Sequence, residues 1–492
     1  MDNLPSFLRP LQETIAPTSA SASASASASA SANPTTSFAD FLKTEAVKAG
    51  LMSDVITATN GPAGTVNAAS QSKCKFMLVG THAHQFTGYS KVTYNMVREL
   101  AKEEAWLDVV HYGFQKHPQT PPLYRPYPPQ VKVIDAVALE VGAAQGKEPA
   151  STFGFQFLPE VIKKEQPHIV MIYNDMAVVS QFLEVIRKSA IDRTFKIWVY
   201  IDQVYPVQPQ PFLDVLNRDA DRVFAFTPYW KKVIKDQGIN RPIDVIPHGF
   251  DATVFKPMSK KEARKMLGIP EDAFIYMCLN RNTPRKRYDL LVMAFAELVV
   301  KYPTKPVFLL CICDKGEKGG YLIFDIYLRE LRRLGVNIDQ YANRLILSAK
   351  EMSFRDEEVV AFYSVADVQV STAEGEGFGL CTFESMGLGI PAIAPDVGGF
   401  KEYMRDSNGI LVKTAHRSYL PLAYSPVAGE VEVVDPHVYC MAMERYLNDS
   451  ALREAHGKAA RETVLSYTWP SVFQTMIKRI KSAHEELLEE VE

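Results

Sequence analysis

Residues 368–403, VQVSTAEGEGFGLCTFESMGLGIPAIAPDVGGFKEY, constrain the fold more than any other part of the chain. Val368 and Val370 open it as a short alternating apolar run, the mark of a strand. A glycine-punctuated acidic loop follows, from Glu374 through Gly375, Glu376, Gly377 and Phe378 to Gly379. Leu380 to Gly387 then reads as a helix, stopped by Gly387, Gly389 and Pro391. A second apolar run, Ile390 to Ala394, and a Gly398-Gly399 turn close the unit. Strand, loop, helix and strand in that order make one βαβ unit of a parallel sheet. The glycine loop then lies at a helix N-terminus, where free N–H groups attract anions. Glu376 in the loop and Glu384 in the first turn of the helix stand eight positions apart. Carboxylates so placed can meet sugar hydroxyls (Glu376) and the two hydroxyls of a ribose (Glu384), while the amides after Gly377 face a phosphate. Acidic residues also favour helix N-termini for purely structural reasons.

The pattern E-G-F-G-L-x-x-x-E-x-M-x-x-G-x-P-x-x-A resembles the signature of family 4 retaining glycosyltransferases, with their E-x7-E pair. Gly398, Gly399 and Glu402, then Asn408 to Val412, continue the resemblance. It extends over roughly residues 75–485, weakly in the first half and strongly in the second.

The chain has 492 residues, room for two or more domains, and 47% hydrophobic against 23% charged residues marks a soluble globular protein. A net charge of −3 gives no support for a nucleic-acid partner. No apolar run approaches the ~20 residues of a membrane span, and the N-terminus lacks the apolar core of a signal peptide. The six cysteines include no C-x-x-C pair and sit mostly in strand-like surroundings, as buried reduced thiols of a cytoplasmic protein do.

Residues 1–72 read as a low-complexity tail dominated by Ser-Ala alternation from Ser19 to Ala32, with local helix conceivable over Phe38 to Met52. Such a stretch buries too little apolar surface to offset its ordering entropy. The first domain, residues 73–250, opens with a strand from Lys75 to Gly80 and a loop that passes through Gly88 into a helix carrying Val92, Met96 and Leu100 on one face. Gly88 lets backbone approach a ligand closely. His82 and His84 lack a companion ligand nearby and suit either the wall of a site or an ordinary loop. Further strand-like runs at Val131–Val133, His168–Ile172, Ile197–Ile201 and Val223–Phe226 alternate with helix-like runs, which argues a doubly wound α/β domain. Asp219-Ala220-Asp221 precedes its strand instead of ending one, so it reads as a surface turn and no metal is expected.

Residues 245–257, VIPHGFDATVFKP, mark the crossing to a second domain, residues 251–468. That domain opens with a strand from Ala273 to Leu279 and a helix from Tyr288 to Val300 with Leu291, Ala294, Phe295 and Leu298 as its apolar stripe. Arg281, Arg285, Lys286 and Arg287 crowd the start of that helix against its dipole, so an anion is expected there. Strands at Val307–Ile312 and Arg344–Leu347 and helices at Tyr321–Leu334 and Asp356–Tyr363 follow, and residues 469–492 form a final helix.

The resemblance implies two Rossmann-like domains facing each other across a cleft, the GT-B arrangement, with an acceptor domain first, a nucleotide-sugar domain second and the last helix returning to the first domain. It implies a retaining hexosyltransferase that moves a sugar, for example mannose or glucose, from a UDP- or GDP-sugar to a glycan or other hydroxyl acceptor, without a metal or other cofactor. The implied donor site comprises Gly88, Arg281, Lys286, Glu376, Gly377, Phe378, Gly379, Leu380 and Glu384. Arg281 and Lys286 fit the R-x4-K clamp on the diphosphate, and the base lies against the segment after Leu347. Many members carry histidine where this chain has Asp202, which here either binds an acceptor hydroxyl or caps its loop. A nucleotide-sugar-binding protein without turnover is the alternative. A dinucleotide oxidoreductase is disfavoured, because Glu374 and Glu376 among the glycines would repel a pyrophosphate laid on them.

Overall fold

Strands buried on both faces need near-continuous apolar runs, and the chain supplies them in two sets. The computed structural model describes residues 73–121, 124–145, 151–314, 319–348, 353–420 and 429–489. The Ser-Ala tail and the helix conceived for Phe38–Met52 lie outside the described residues. In the first set, β1 (Cys74–Thr81), β2 (Leu107–Phe114), β3 (Lys132–Asp135), β4 (Ile169–Asp175), β5 (Lys196–Asp202), β6 (Arg222–Ala225) and β7 (Ile243–Val245) form one sheet. Its order is β3-β2-β1-β4-β5-β6-β7, with every pairing parallel. Phe76, Met77, Leu78 and Val79 of β1 are fully buried, as its central place requires. The β2 sequence LDVVHYGF hides its strand behind Asp108 and His111. In the sheet His111 is buried and its Nδ1 lies 3.0 Å from the Tyr127 hydroxyl.

The second sheet holds β8 (Phe274–Leu279), β9 (Val307–Ile312), β10 (Leu345–Leu347), β11 (Val368–Val370), β12 (Ala392–Pro395) and β13 (Ile410–Val412), all parallel, in the order β10-β9-β8-β11-β12-β13. The stripe Leu291, Ala294, Phe295 and Leu298 of helix Tyr288–Lys301 is fully buried in its core. Each such large apolar side chain contributes about 1.5–3 kcal/mol through burial. A two-stranded antiparallel pair, β14 (Thr414–Tyr419) and β15 (Glu430–Val434), stands apart and was not legible in the sequence.

Two parallel α/β domains in the GT-B arrangement are thus present. In both sheets the strand order reverses beside the first strand, between β1 and β4 and between β8 and β11. Ligands of such sheets bind outside the carboxyl ends of the strands at that reversal, and here those two ends face each other. The chain crosses between the domains twice at one place. Phe250 N–H donates to the Tyr467 carbonyl at 2.7 Å, and a Cβ on Gly249 would stand 2.6 Å from the Trp469 ring. Helix Trp469–Glu489 then packs on helix Gly88–Leu100 and on β1, and Arg479 pairs with Asp244 at 3.0 Å.

Candidate functional site

The loop after β11 is pressed onto the first domain, and two of its glycines have no room for a side chain. A Cβ on Gly377 would lie 1.7 Å from Asp202 Oδ1, and one on Gly375 would lie 2.4 Å from the Val204 carbonyl oxygen. Trp230 of the first domain donates its indole N–H to the Gly377 carbonyl at 2.7 Å. Gly379 enters the helix Leu380–Gly387 with φ at 84°, a left-handed conformation that favours glycine. The helix has the bounds read from the sequence, and Glu384 is its fifth residue, so it sits just past the first turn in which the sequence reading placed it.

Across the cleft, Thr87 and Ser90 cap the helix Gly88–Leu100 reciprocally. A Cβ built on Gly88 would lie 3.6 Å from Leu380 Cδ2. The N-termini of two helices, one from each domain, therefore converge on a single spot. Free amides at both ends make that spot attractive to an anion. A cavity of about 570 Å³ opens there, and its wall includes Gly88, Asp202, Arg281, Lys286, Glu376, Gly377, Phe378, Gly379, Leu380 and Glu384. The structure thus brings the residues of the implied donor site and Asp202 to one cleft.

The carboxylates in it are not equivalent. Arg285 donates to Glu376 Oε2 at 3.0 Å and Lys286 contacts Oε1. Burial works to raise the Glu376 carboxyl, but Lys286 and Arg285 outweigh it and hold the group below its usual range. Arg287 pairs with Glu374 at 3.1 Å and with Asp289 at 2.9 Å. The crowd of cations is therefore matched by carboxylates, not left open at the helix start as the sequence suggested. Arg281 differs: it is exposed on the cleft wall and makes no ion pair among the described residues.

Asp202 ends β5 beside Asp175, its partner in register on β4, and accepts from the Tyr89 hydroxyl at 2.7 Å. Burial pushes its carboxyl up to about 6, with Glu376 and Asp175 adding to the rise. Glu384 is buried and is met by Lys91 of the first domain. Burial raises its carboxyl, and Lys91 only partly offsets this. Lys91 also lies 3.1 Å from Asp356, which Arg125 grips from Nε at 3.2 Å and from Nη2 at 3.0 Å. Burial opposes ionisation of Asp356, yet Lys91 and Arg125 hold it well below the usual carboxylate range. Lys91, Arg125, Asp356 and Tyr89 escaped the sequence reading. None belongs to a motif, and distant segments bring them together; Arg125 came from a proline-rich loop with no periodic signal.

His82 and His84 do not line the cleft. They form a cluster with His111 and Tyr127, with the His82 and His84 rings 4.9 Å apart, and burial pushes His82 down to about 2. Asp219 and Asp221 lie at the far end of the sheet from the cleft. Asp221 accepts from Ile197 N–H at the start of β5 and pairs with Arg193, both at 2.6 Å, and Asp219 pairs with Arg218. Asp219 is buried, so the expected surface turn is exposed only in part. One group of three potential metal ligands, Cys74, His168 and His484, has its ligand atoms within 4.8 Å of one another. His168 Nδ1 already accepts from Lys75 N–H at 2.8 Å, which leaves the proton on the other ring nitrogen and speaks against ligation there.

Residues 259–419 match the family described as Glycosyl transferases group 1. The chain is 28% identical over 271 residues to the D-inositol 3-phosphate glycosyltransferase of Streptosporangium roseum, covering 53% of this chain and 56% of that protein. It is 26% identical over 291 residues to the enzyme of the same name from a Nocardioides species, covering 58% and 59%. The chain thus spans little more than half the length of these relatives. Among solved structures, the fold is similar to sucrose-phosphate synthase from Thermosynechococcus elongatus, with TM-score 0.60 and 19% identity over 83% of this chain and 99% of that one. It is also similar to HepE from Anabaena in complex with UDP-glucose, with TM-score 0.58 and 15% identity over 83% and 99%. No described helix is long and apolar enough to cross a membrane.

Proposed function

We propose that this chain, whose residues 259–419 match the glycosyl transferases group 1 family and whose fold is GT-B, transfers a hexose, with retention, from a UDP- or GDP-sugar to a glycan or other hydroxyl acceptor. The observation that carries the reading is the convergence of two helix N-termini, at Gly88 and Leu380, beside Arg281, Lys286 and the buried pair Glu376 and Glu384. A diphosphate seated between the helix ends meets free amides from both domains and the side chains of Arg281 and Lys286. Charge grows on the departing diphosphate, so donors already aimed at it lower the barrier without reorganising. Glu376, kept ionised by Arg285 and Lys286, accepts from hydroxyls of the sugar. Glu384 accepts from the ribose.

In this mechanism no protein group attacks the sugar. The acceptor hydroxyl approaches from the face that the diphosphate leaves, and a phosphate oxygen takes its proton. Asp202, at the floor of the cleft beside Gly377, orients that hydroxyl. Relatives of this size of overlap carry the name D-inositol 3-phosphate glycosyltransferase, and HepE was captured with UDP-glucose, which makes UDP-sugars the first donors to try.

The test is release of nucleoside diphosphate when the purified protein is offered UDP-glucose, UDP-N-acetylglucosamine or GDP-mannose, with and without sugar acceptors and in the presence of EDTA. Turnover that survives EDTA is expected. Binding of a nucleotide sugar with no hydrolysis or transfer to any acceptor would leave only a binding protein, and activity abolished by EDTA and restored by manganese would overturn the metal-independent mechanism.

A further inference from the structure

His248 lies in the crossing between the two domains, 4% exposed, with its ring packed among aromatic neighbours. The ring centroids of Phe226 and Phe378 are 4.4 Å and 4.6 Å away, and those of Tyr200 and Trp469 are each 6.4 Å away. Neither Nδ1 nor Nε2 has a hydrogen-bond partner among the described residues, although both atoms are buried. Most buried polar atoms in folded proteins have a hydrogen-bond partner. His111 and His82, near the first-domain loops, are placed differently. His111 meets Tyr127 and the Gly80 carbonyl, and His82 accepts from His84 N–H. His248 is instead part of the wall of the cleft.

We propose that His248 is a further substrate-contacting residue, whose ring hydrogen-bonds hydroxyl groups of the sugar being transferred. This rests on the glycosyl-transfer reading above. The position selects the sugar over the nucleotide. Phe378, against which the ring packs, follows Gly377, and Phe226 reaches within 3.2 Å of the place where a Cβ on Gly377 would stand, beside Asp202 Oδ1. Glu384 and Lys91, where the ribose is proposed to sit, belong to another part of the cleft wall, on helix Leu380–Gly387 and helix Gly88–Leu100. Burial pushes the His248 ring down to about 3, so it stays neutral and offers one donor and one acceptor. A sugar hydroxyl, which both donates and accepts, satisfies one nitrogen of such a ring.

His248→Phe separates packing from hydrogen bonding, since a phenyl ring suits the aromatic niche and has no polar atoms to satisfy. The variant should melt at the same temperature as the wild type or higher. It should bind UDP and GDP like the wild type, lose the additional affinity that UDP-glucose or GDP-mannose shows over the bare diphosphate, and turn over the donor at least tenfold more slowly. His248→Asn, which keeps a donor and an acceptor, should retain more of the sugar-dependent affinity, and the same titrations on it decide the matter if the Phe variant does not fold. Unchanged turnover and sugar-dependent affinity would show that the ring only packs. An equal loss of affinity for diphosphate and sugar nucleotide would show that it acts through the domain crossing. Either result overturns the assignment alone, whereas a wild-type protein that binds none of these nucleotides overturns the transferase reading and the assignment with it.

Discussion

The ammonium of Lys91, on the first helix of the first domain, rests on the buried carboxylate of Glu384, on the helix that follows the glycine loop of the second. A side chain of one domain thus occupies the acid proposed to hold the ribose, and the same ammonium reaches Asp356 at 3.1 Å. Removing one partner of a buried pair leaves the other charge uncompensated, at a cost of about 3–5 kcal/mol. Lys91→Met is therefore expected to destabilise the protein by that order. Lys91→Met with Glu384→Gln should recover most of the loss, because no unpaired charge stays buried at Glu384. Urea unfolding of the two single variants and the double variant gives the coupling. Simple additivity would mean that the contact is not energetically real.

Asp202 makes a pH-dependent contribution of opposite sign to that of an ordinary salt-bridged acid. The folded state keeps its proton up to about pH 6, because burial disfavours the charge, while the unfolded chain releases it near 3.8. Between those values the folded state binds more protons, so stability falls as pH rises through that window. Asp202→Asn keeps an acceptor for the Tyr89 hydroxyl and removes the titration. Its stability relative to wild type should be unchanged near pH 4 and greater by about 1–2 kcal/mol above pH 7 after allowing for partial solvent contact, while turnover drops. Thermal unfolding of both proteins across pH 4–8 checks this, and a gap that does not change with pH would place the titration elsewhere.

Arg281 and Lys286, five positions apart, should part company on truncation. Arg281 is exposed and makes no ion pair among the described residues, so Arg281→Ala should leave the melting temperature of the free protein unchanged. Lys286 compensates the buried Glu376, so Lys286→Ala should lower it. Both should slow donor turnover at least tenfold, since a hydrogen bond to a charged group contributes about 1.5–3 kcal/mol. Melting temperatures beside initial rates decide. Wild-type rates in Arg281→Ala would remove it from the diphosphate site.

Glu376→Gln preserves shape and one acceptor but deprives Arg285 and Lys286 of their counter-charge. The variant is expected to stay folded, since Arg285 still bonds the Gly375 carbonyl at 2.6 Å, and to bind bare diphosphate at least as tightly as wild type, while transfer collapses. Calorimetric titration with UDP beside a transfer assay separates the two effects. Near-normal transfer would mean that the carboxylate does not meet the sugar.

Much of this protein was legible in residue order alone. Apolar runs such as Phe76–Val79 and Val307–Ile312 suit strands buried on both faces of a parallel sheet, and the glycine loop at Gly375–Gly379 announces a helix start with acids beside it. These are local signals, because the apolar pattern of a strand, turn conformation and helix capping are decided by neighbours in sequence. Only the tertiary structure could decide what Glu376 and Glu384 face, and hence their charge. Glu376 is held ionised by Arg285 and Lys286, some ninety residues upstream, and Glu384 meets Lys91 from 293 residues away. Nor could residue order show that His248 would be buried with both nitrogens unmatched, or that a Cβ at Gly377 would strike Asp202. Pairing, burial and the shifts they impose depend on distances between segments, which the sequence sets only through the packing of two complete domains.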